Sequence, residues 1–381
     1  MTASRSLHID GLTVRYGVNT AVNNVTLSVR AGEFVAVLGP SGCGKSTLLR
    51  AIAGLEPAAA GTIAIGGQDL APMRPSERGV AFVFQSYALY PHMSCRQNIA
   101  APLAMAELGT LGRLPVVWRL VPCAAEIRRS ITKRVDAVAQ MLDIEELLGR
   151  KPSALSGGQR QRVALGRALV RAPNLFLLDE PLANLDAALR HTTRTELRQI
   201  QRRVGATTLF VTHDQAEAMA VADRLVVMFR GEIAQVGTPD EIYRHPATLD
   251  VARFLSQPHL NELTADEFVS ASGDTSGCLP GSVPAEASTG TVGVRPEHCT
   301  IFAPGSRGKA GIPVTVEMAE HAGVDAHLFC RTGAGKRLVA RVPSAQLTRW
   351  AAGAEGMFQV SPDKAWYFRG AADAAPLKVA A

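Results

Sequence analysis

The chain has no run of about 20 consecutive apolar residues, so no membrane-spanning helix is expected. The most apolar candidate, 114–125, is too short and carries Arg119. The opening MTASRSLHIDGLTVRYG lacks a long apolar core, and no secretory signal is read in it. Six cysteines, at 43, 95, 123, 278, 299 and 330, form no CxxC pair. That spacing argues against a zinc site and a disulfide framework, and for a cytoplasmic protein. The net charge of +6, from 40 basic and 34 acidic residues, falls short of a nucleic-acid binder's footprint. No internal repeat is visible. Aromatic residues make up only 5% of the chain, but hydrophobic residues reach 47% over 381 positions. That is enough to bury large cores, and two or three domains are expected.

What is present begins with GPSGCGKST, from Gly39 to Thr47. The pattern is glycine, four residues, glycine, lysine, then serine or threonine, which fits a phosphate-binding loop. Such a loop turns tightly and aims successive backbone N–H groups at a phosphate chain. Gly39, Gly42 and Gly44 let the backbone approach the oxygens, and Pro40, Ser41 and Cys43 complete the turn. Lys45 is placed to reach the β- and γ-phosphates, and the Ser46 hydroxyl to bind Mg²⁺. An apolar run at 33–38 precedes the loop and reads as a buried parallel strand. The segment from Thr47 to Ala53 reads as a helix whose N-terminal dipole faces the same anion. Strand, loop and helix follow in the order a triphosphate site requires.

Residues 1–235 alternate short apolar runs with helical patterns, which predicts an α/β domain. Strands are expected at Leu7–Val14, Val25–Val29, Val80–Phe84, Leu175–Leu178 and Thr208–Thr212, with a hairpin turning at Arg230-Gly231. The stretch 126–148 reads as one long amphipathic helix. Residues 236–290 are expected to be a linker and the start of a C-terminal domain, with 271–290 a loop rich in small residues. Short β-like segments at 291–295, 312–317, 327–330, 337–342 and 366–369 predict a small β-barrel over 291–370. The last residues, AADAAPLKVAA, are expected to fray.

A second group of residues completes the candidate site. The run from Leu175 ends in Asp179 and Glu180, where side chains at the C-terminal end of a parallel strand open into a ligand crevice. Asp179 is placed to hold Mg²⁺, directly or through water, and Glu180 to take a proton from an attacking water. Gln85 ends the Val80–Phe84 strand and can bind Mg²⁺ or orient that water. His213 follows the Thr208–Thr212 strand and can hydrogen-bond the γ-phosphate or the nucleophilic water. Tyr16 is either an adenine-stacking ring or a core tyrosine.

Between these parts lies LSGGQRQRVALGRAL, residues 155–169. With the phosphate loop and LFLLDEP, it resembles the signature of ABC-type ATPases. Tyr16 matches the aromatic loop, Gln85 the Q-loop, and Ser156, Gly157, Gly158 and Gln159 the signature. Asp179 and Glu180 match the Walker B pair, 184–186 the D-loop, and His213 the switch histidine. The resemblance implies an α/β P-loop NTPase domain with a helical subdomain at about 86–160. A small all-β OB-like TOBE barrel, entered at Gly293-Val-Arg-Pro-Glu297, would follow it. It implies ATP and Mg²⁺ as ligands and a head-to-tail dimer with a second copy or a paralogue. In that dimer Ser156 of one copy completes the site of Lys45 in the other.

Segments such as SYALYPHM and GTPDEIYRHP are similar to ATPase subunits of bacterial sugar importers of the maltose and glycerol-3-phosphate type. The chain would then sit peripherally on the cytoplasmic face of the inner membrane. It would drive two integral-membrane permease subunits, which a periplasmic solute-binding protein serves, and would bind no nucleic acid. A polyamine, iron or other importer ATPase stays open as an alternative. A DNA-repair ATPase would share the motifs, but the interval of about 110 residues between loop and signature has no sustained heptads. The sequence departs from the pattern at Ala183, where a D-loop serine is usual, at an extra segment around 108–123, and at 257–261.

Overall fold

The computed structural model describes residues 5–107, 122–272, 278–279, 283–284, 290–304 and 311–368. The extra segment around 108–123 falls almost entirely outside them, as does the expected frayed tail. The chain divides into two compact units, Met1–Pro239 and Asp240–Ala381.

The first unit is organised by a six-stranded sheet. Its strand order is Glu232–Gly237, Arg224–Phe229, Phe34–Leu38, Thr207–Val211, Leu175–Asp179 and Val80–Val83. All neighbours are parallel except the first pair, an antiparallel hairpin. The three central strands are buried at every position, as uninterrupted apolar runs in a doubly covered parallel sheet require. One face shares its core with the helix Lys45–Ala53 and with an antiparallel sheet in the order Asn19–Val29, Leu7–Tyr16, Ala60–Ile65, Gln68–Asp69. Ala60–Ile65 went unread in the sequence because its Ala/Gly-rich half is exposed and only Ile63 and Ile65 are buried apolar positions. The hairpin turns on Arg230 and Gly231, both at positive φ (48° and 85°), the geometry of a tight two-residue turn that follows strand twist.

Three helices, Cys95–Glu107, Pro122–Met141 and Gly157–Leu169, pack together beside the Val80–Val83 edge of the sheet. Gly166 makes the close approach possible, since a Cβ there would stand 3.2 Å from Leu142 and 3.3 Å from Ile99. The single helix expected over 126–148 instead ends at Met141. Asp143 adopts a left-handed φ of 53°, and the Ile144 N–H closes on the Ala139 carbonyl at 3.0 Å. Asp tolerates that conformation better than most residues, so the chain turns there and resumes as a short 3₁₀ turn at Glu145–Leu147.

The second unit places a five-stranded antiparallel sheet around its own core. The order is Cys299–Phe302, Glu355–Val360, Ile312–Ala322, Asp325–Thr332, Arg337–Pro343. The first and last strands approach each other, so the sheet curls towards a barrel. A three-stranded sheet of Asn261–Leu263, Thr291–Val294 and Trp366–Phe368 shares the same core through Leu263, Val292, Val294 and Tyr367. Asn261 joins the two sheets. Its buried amide donates to the Val339 carbonyl at 2.8 Å and accepts from the Val339 N–H at 2.7 Å, as a neighbouring peptide would.

The stretch 236–290, expected as a linker and the start of the C-terminal domain, carries short elements of its own. Leu249–Phe254 and Ala265–Ser272 are helices, and Leu249, Leu263, Phe268 and Ala271 are buried in this unit. Within the expected loop, Cys278–Leu279 pairs with Val283–Pro284. Arg295, of the Gly293–Glu297 string, is 1% exposed, with its guanidinium 3.4 Å from the Tyr243 ring centre and 4.7 Å from that of Trp366.

Candidate active site

The loop 39–44 leaves the C-terminal end of the Phe34–Leu38 strand and delivers the chain directly into the Lys45–Ala53 helix. Two glycines are dictated by their neighbours. A Cβ at Gly39 would meet the Met228 carbonyl at 2.2 Å, and one at Gly44 the Ala21 carbonyl at 2.2 Å. Gly44 also has φ 103°, which L side chains rarely adopt. The hairpin turn braces the loop from outside, with the Gly231 N–H donating to the Cys43 carbonyl at 3.0 Å. Lys45 is 5% exposed and lies back across the loop, donating from Nζ to the Gly39 carbonyl at 2.9 Å and the Pro40 carbonyl at 2.8 Å. The cation is thus held inside the ring of backbone that would surround an anion.

Ser46 and Asp179 are 133 positions apart in sequence and meet in space, the Ser46 hydroxyl donating to Asp179 Oδ1 at 2.7 Å. Burial pushes the Asp179 carboxyl above its ordinary range, and neighbouring Glu180 adds to the rise; the Ser46 bond, Arg50 and Lys45 oppose it. A hydroxyl and a carboxylate converging at the mouth of a phosphate loop are hard oxygen donors, few in number. That donor set suits Mg²⁺, which is typically held by one or two protein oxygens, substrate phosphates and water. A divalent cation there would also relieve the cost of an ionised, buried Asp179.

Glu180 gathers the remaining chemistry. It sits at φ 45°, its N–H bonded to the Val211 carbonyl at 3.0 Å, a strained conformation outside the strand. Gln85 Nε2 donates to its Oε2 at 3.2 Å, and His213 Nδ1 stands 3.3 Å from its Oε1. Both carboxylate oxygens are therefore oriented by the side chains that sequence singled out. Gln85 lies two residues beyond Val83, where the strand ends. The Asn184 side chain donates to the Gln85 carbonyl at 2.7 Å, linking the segments after two neighbouring strands.

Ser156 caps the Gly157–Leu169 helix with a reciprocal capping box. The Gln159 N–H donates to its Oγ at 3.3 Å, and its own N–H to Gln159 Oε1 at 3.0 Å. These bonds are local to the helix, whereas those of Lys45 are local to the phosphate loop. Tyr16 ends its strand 44% exposed, so it is not a core tyrosine. Thr47 lies in the first turn of the helix after the loop.

Sequence reasoning missed the clamps behind these groups. Arg167, on the signature helix, donates to the carbonyls of Tyr87 at 2.8 Å and Ala88 at 2.7 Å. Those two residues have φ of 62° and 46°, so the guanidinium holds a strained turn just past Gln85. No local pattern marks an arginine for a partner 80 positions away.

Cys43 is 6% exposed, with Sγ 3.8 Å from Lys45 Nζ. Burial raises its thiol above the ordinary value, against the opposing charge of Lys45. Thiolate is then scarce at neutral pH. Alkylation should be slow at pH 7, accelerate by about tenfold per pH unit, and be blocked by ATP. Labelled protein that binds nucleotide normally would contradict this placement.

Comparison with known proteins agrees with the geometry. Residues 22–183 match the ABC transporter family model, and residues 292–368 the TOBE domain model. The chain is 45% identical to the sn-glycerol-3-phosphate import ATP-binding protein of Chromohalobacter salexigens over 349 residues, covering 90% of this chain and 89% of that one. The protein of the same description from Paracoccus denitrificans is 45% identical, over 88% of this chain and 89% of its own. Among solved structures, a dimeric ATP-binding cassette in a post-hydrolysis state, bound to ADP and phosphate, superposes with a TM-score of 0.50 at 28% identity. It covers 61% of this chain and 98% of its own. A Clostridium perfringens protein that is part of an ABC transporter complex gives a TM-score of 0.53 at 27% identity, over 62% and 90% of the two chains. With likeness of this order sustained through both of its units, the chain belongs to the ABC transporter family, as an ATP-binding ATPase that carries a TOBE domain.

Proposed function

We propose that this ATPase energises a bacterial importer for a sugar or a related solute such as sn-glycerol-3-phosphate, working through separate membrane permease subunits. The observation that carries the reading is the 45% identity to import ATP-binding proteins, which runs through the C-terminal unit as well as the ATPase unit. Among the described residues no helix is long and apolar enough to cross a membrane, so the permeation path would belong to other chains. The ATPase would then sit peripherally on the cytoplasmic face of the inner membrane. A groove of about 790 Å³ just past Gln85, lined by Phe84, Ala88, Tyr90, Ala101, Met105 and Arg167, would receive a cytoplasmic helix of the permease.

In the mechanism, the loop from Gly39 to Ser46 grips the triphosphate through its backbone N–H groups, and Lys45 swings from the Gly39 and Pro40 carbonyls onto the β- and γ-phosphates. Ser46 and Asp179, with Gln85, would hold Mg²⁺, which neutralises phosphate charge when bound. Tyr16 stacks on the base. Glu180, oriented by Gln85 and His213, takes the proton of the attacking water, and His213 bonds the γ-phosphate. A second copy packed head-to-tail supplies Ser156–Gln159, whose helix N-terminus faces the same γ-phosphate.

The test is ATPase assay of the purified chain with a reconstituted two-component permease and candidate solutes, against the same assay with DNA. Stimulation is expected from permease with sn-glycerol-3-phosphate or a sugar. Stimulation by DNA, with none by permease, would overturn the importer assignment.

A further inference from the structure

Arg190 lies on the helix Ala187–Val204, one turn past Asp186, which caps it. Its guanidinium reaches three places. Nη2 donates to the Leu185 carbonyl at 3.0 Å, Nε stands 3.5 Å from Glu217 Oε1, and Nη1 stands 3.9 Å from Asp214 Oδ2. Nε is buried without a hydrogen bond, so its attraction to Glu217 is ionic.

The two carboxylates bracket the turn that carries His213. Asp214 caps the Gln215–Val221 helix, accepting from the Glu217 N–H at 3.1 Å. Glu217, 5% exposed, accepts from the Thr212 hydroxyl at 2.6 Å, and that oxygen accepts from the Asp214 N–H at 3.0 Å. The residues on either side of His213 thus belong to one acidic hydrogen-bonded knot. Its counter-charge comes from the helix that follows 184–186, the segment whose Asn184 already holds the Gln85 carbonyl.

We propose that Arg190 is a positioning residue for ATP hydrolysis, tying the His213 turn to the 184–186 segment so that the histidine stays beside Glu180. The proposal rests on reading His213 and Glu180 as reacting groups. Arg190 touches Leu185, Asp214 and Glu217 and acts through them. Without its cation, Glu217 would be a buried carboxylate that has lost the larger of the two charges opposing its protonation, Arg190 ahead of His213. It would have to take a proton or draw in water, and either change loosens its bond to Thr212 and lets the next residue drift. A displacement near 1 Å at a reacting group can cost about 10²-fold in rate.

The experiment compares full-length wild type with Arg190→Gln, Arg190→Lys, the pair Arg190→Gln/Glu217→Gln, and His213→Ala. Each is assayed for ATP kcat, for ATP Kd by fluorescent-nucleotide displacement, and for thermal unfolding as a folding check. Arg190→Gln should lower kcat by about tenfold or more with Kd unchanged. Lysine should recover part of the loss. The double variant, lacking the buried carboxylate, should recover more than Arg190→Gln retains. If Arg190→Gln stays within twofold of wild type while His213→Ala is impaired, the assignment of Arg190 is wrong and the site reading stands. If the double variant is no better than the single, or ATP affinity falls in step with kcat (Kd rises), Arg190 serves stability alone and the proposal is overturned. If His213→Ala itself turns over normally, the reading beneath the proposal fails.

Discussion

Replacing Glu180 with glutamine should lower ATP turnover by about 10²- to 10⁴-fold and leave nucleotide affinity unchanged. The size follows from the lost proton acceptor, because an amide of nearly the same shape cannot take a proton from water. The selectivity follows from the geometry. Glu180 is bonded to Gln85 and His213, whereas the phosphate loop is held by Lys45, the Gly231 N–H and the Ser46–Asp179 pair. None of the latter contacts passes through the Glu180 side chain. The variant should therefore fill with ATP and stall before cleavage. Turnover within threefold of wild type, measured by phosphate release at saturating ATP, would remove Glu180 as the base. A matching fall in ATP affinity would instead mean that the carboxylate supports the loop.

The parts of this site that were legible in sequence are those whose chemistry is local. Strand, loop and helix at 34–53 are contiguous, and the apolar run places Asp179 at the end of its strand, with Glu180 the next residue. The meeting of Ser46 with Asp179 across 133 positions was readable because each half carries its own signal and parallel strands align their C-terminal ends. Arg167 and Arg190 carried no such signal. Each bonds backbone carbonyls or carboxylates that a distant segment presents only after folding, and an arginine on a helix usually means a solvated face. The left-handed residues Tyr87 and Ala88 were equally hidden, because a tertiary contact, the Arg167 guanidinium, holds those conformations against local preference. In the C-terminal unit, Glu355–Val360 went unread because its alternation shows only Gly356, Phe358 and Val360 on the buried side. The helices at 249–254 and 265–272 are so short that their apolar faces were absorbed into what looked like connecting chain.

Lys45→Ala should weaken ATP binding itself, by about 10- to 100-fold, since a hydrogen bond to a charged group contributes roughly 1.5–3 kcal/mol. The free protein already keeps the ammonium group at the place of use, buried within the loop on the Gly39 and Pro40 carbonyls. Removing it deletes a charge from the phosphate site and takes one donor from each of those two carbonyls, Pro40 keeping the Cys43 N–H. Arginine should not rescue the loss, because its planar fork is larger than the buried space a lysine fills at 5% exposure. Thermal unfolding of each variant separates a lost ligand contact from a collapsed loop. Normal ATP affinity in folded Lys45→Ala would contradict the phosphate-loop assignment directly. Hydrolysis should behave differently from binding. Lys45 bonds within its loop and Ser156 within its helix, and on the proposed head-to-tail arrangement Ser156 comes to the site from a second copy. Specific activity of wild type should therefore fall on dilution as dimers separate, while ATP binding through Lys45 persists. Activity independent of protein concentration down to the monomer would instead place all of the transition-state contacts within one chain.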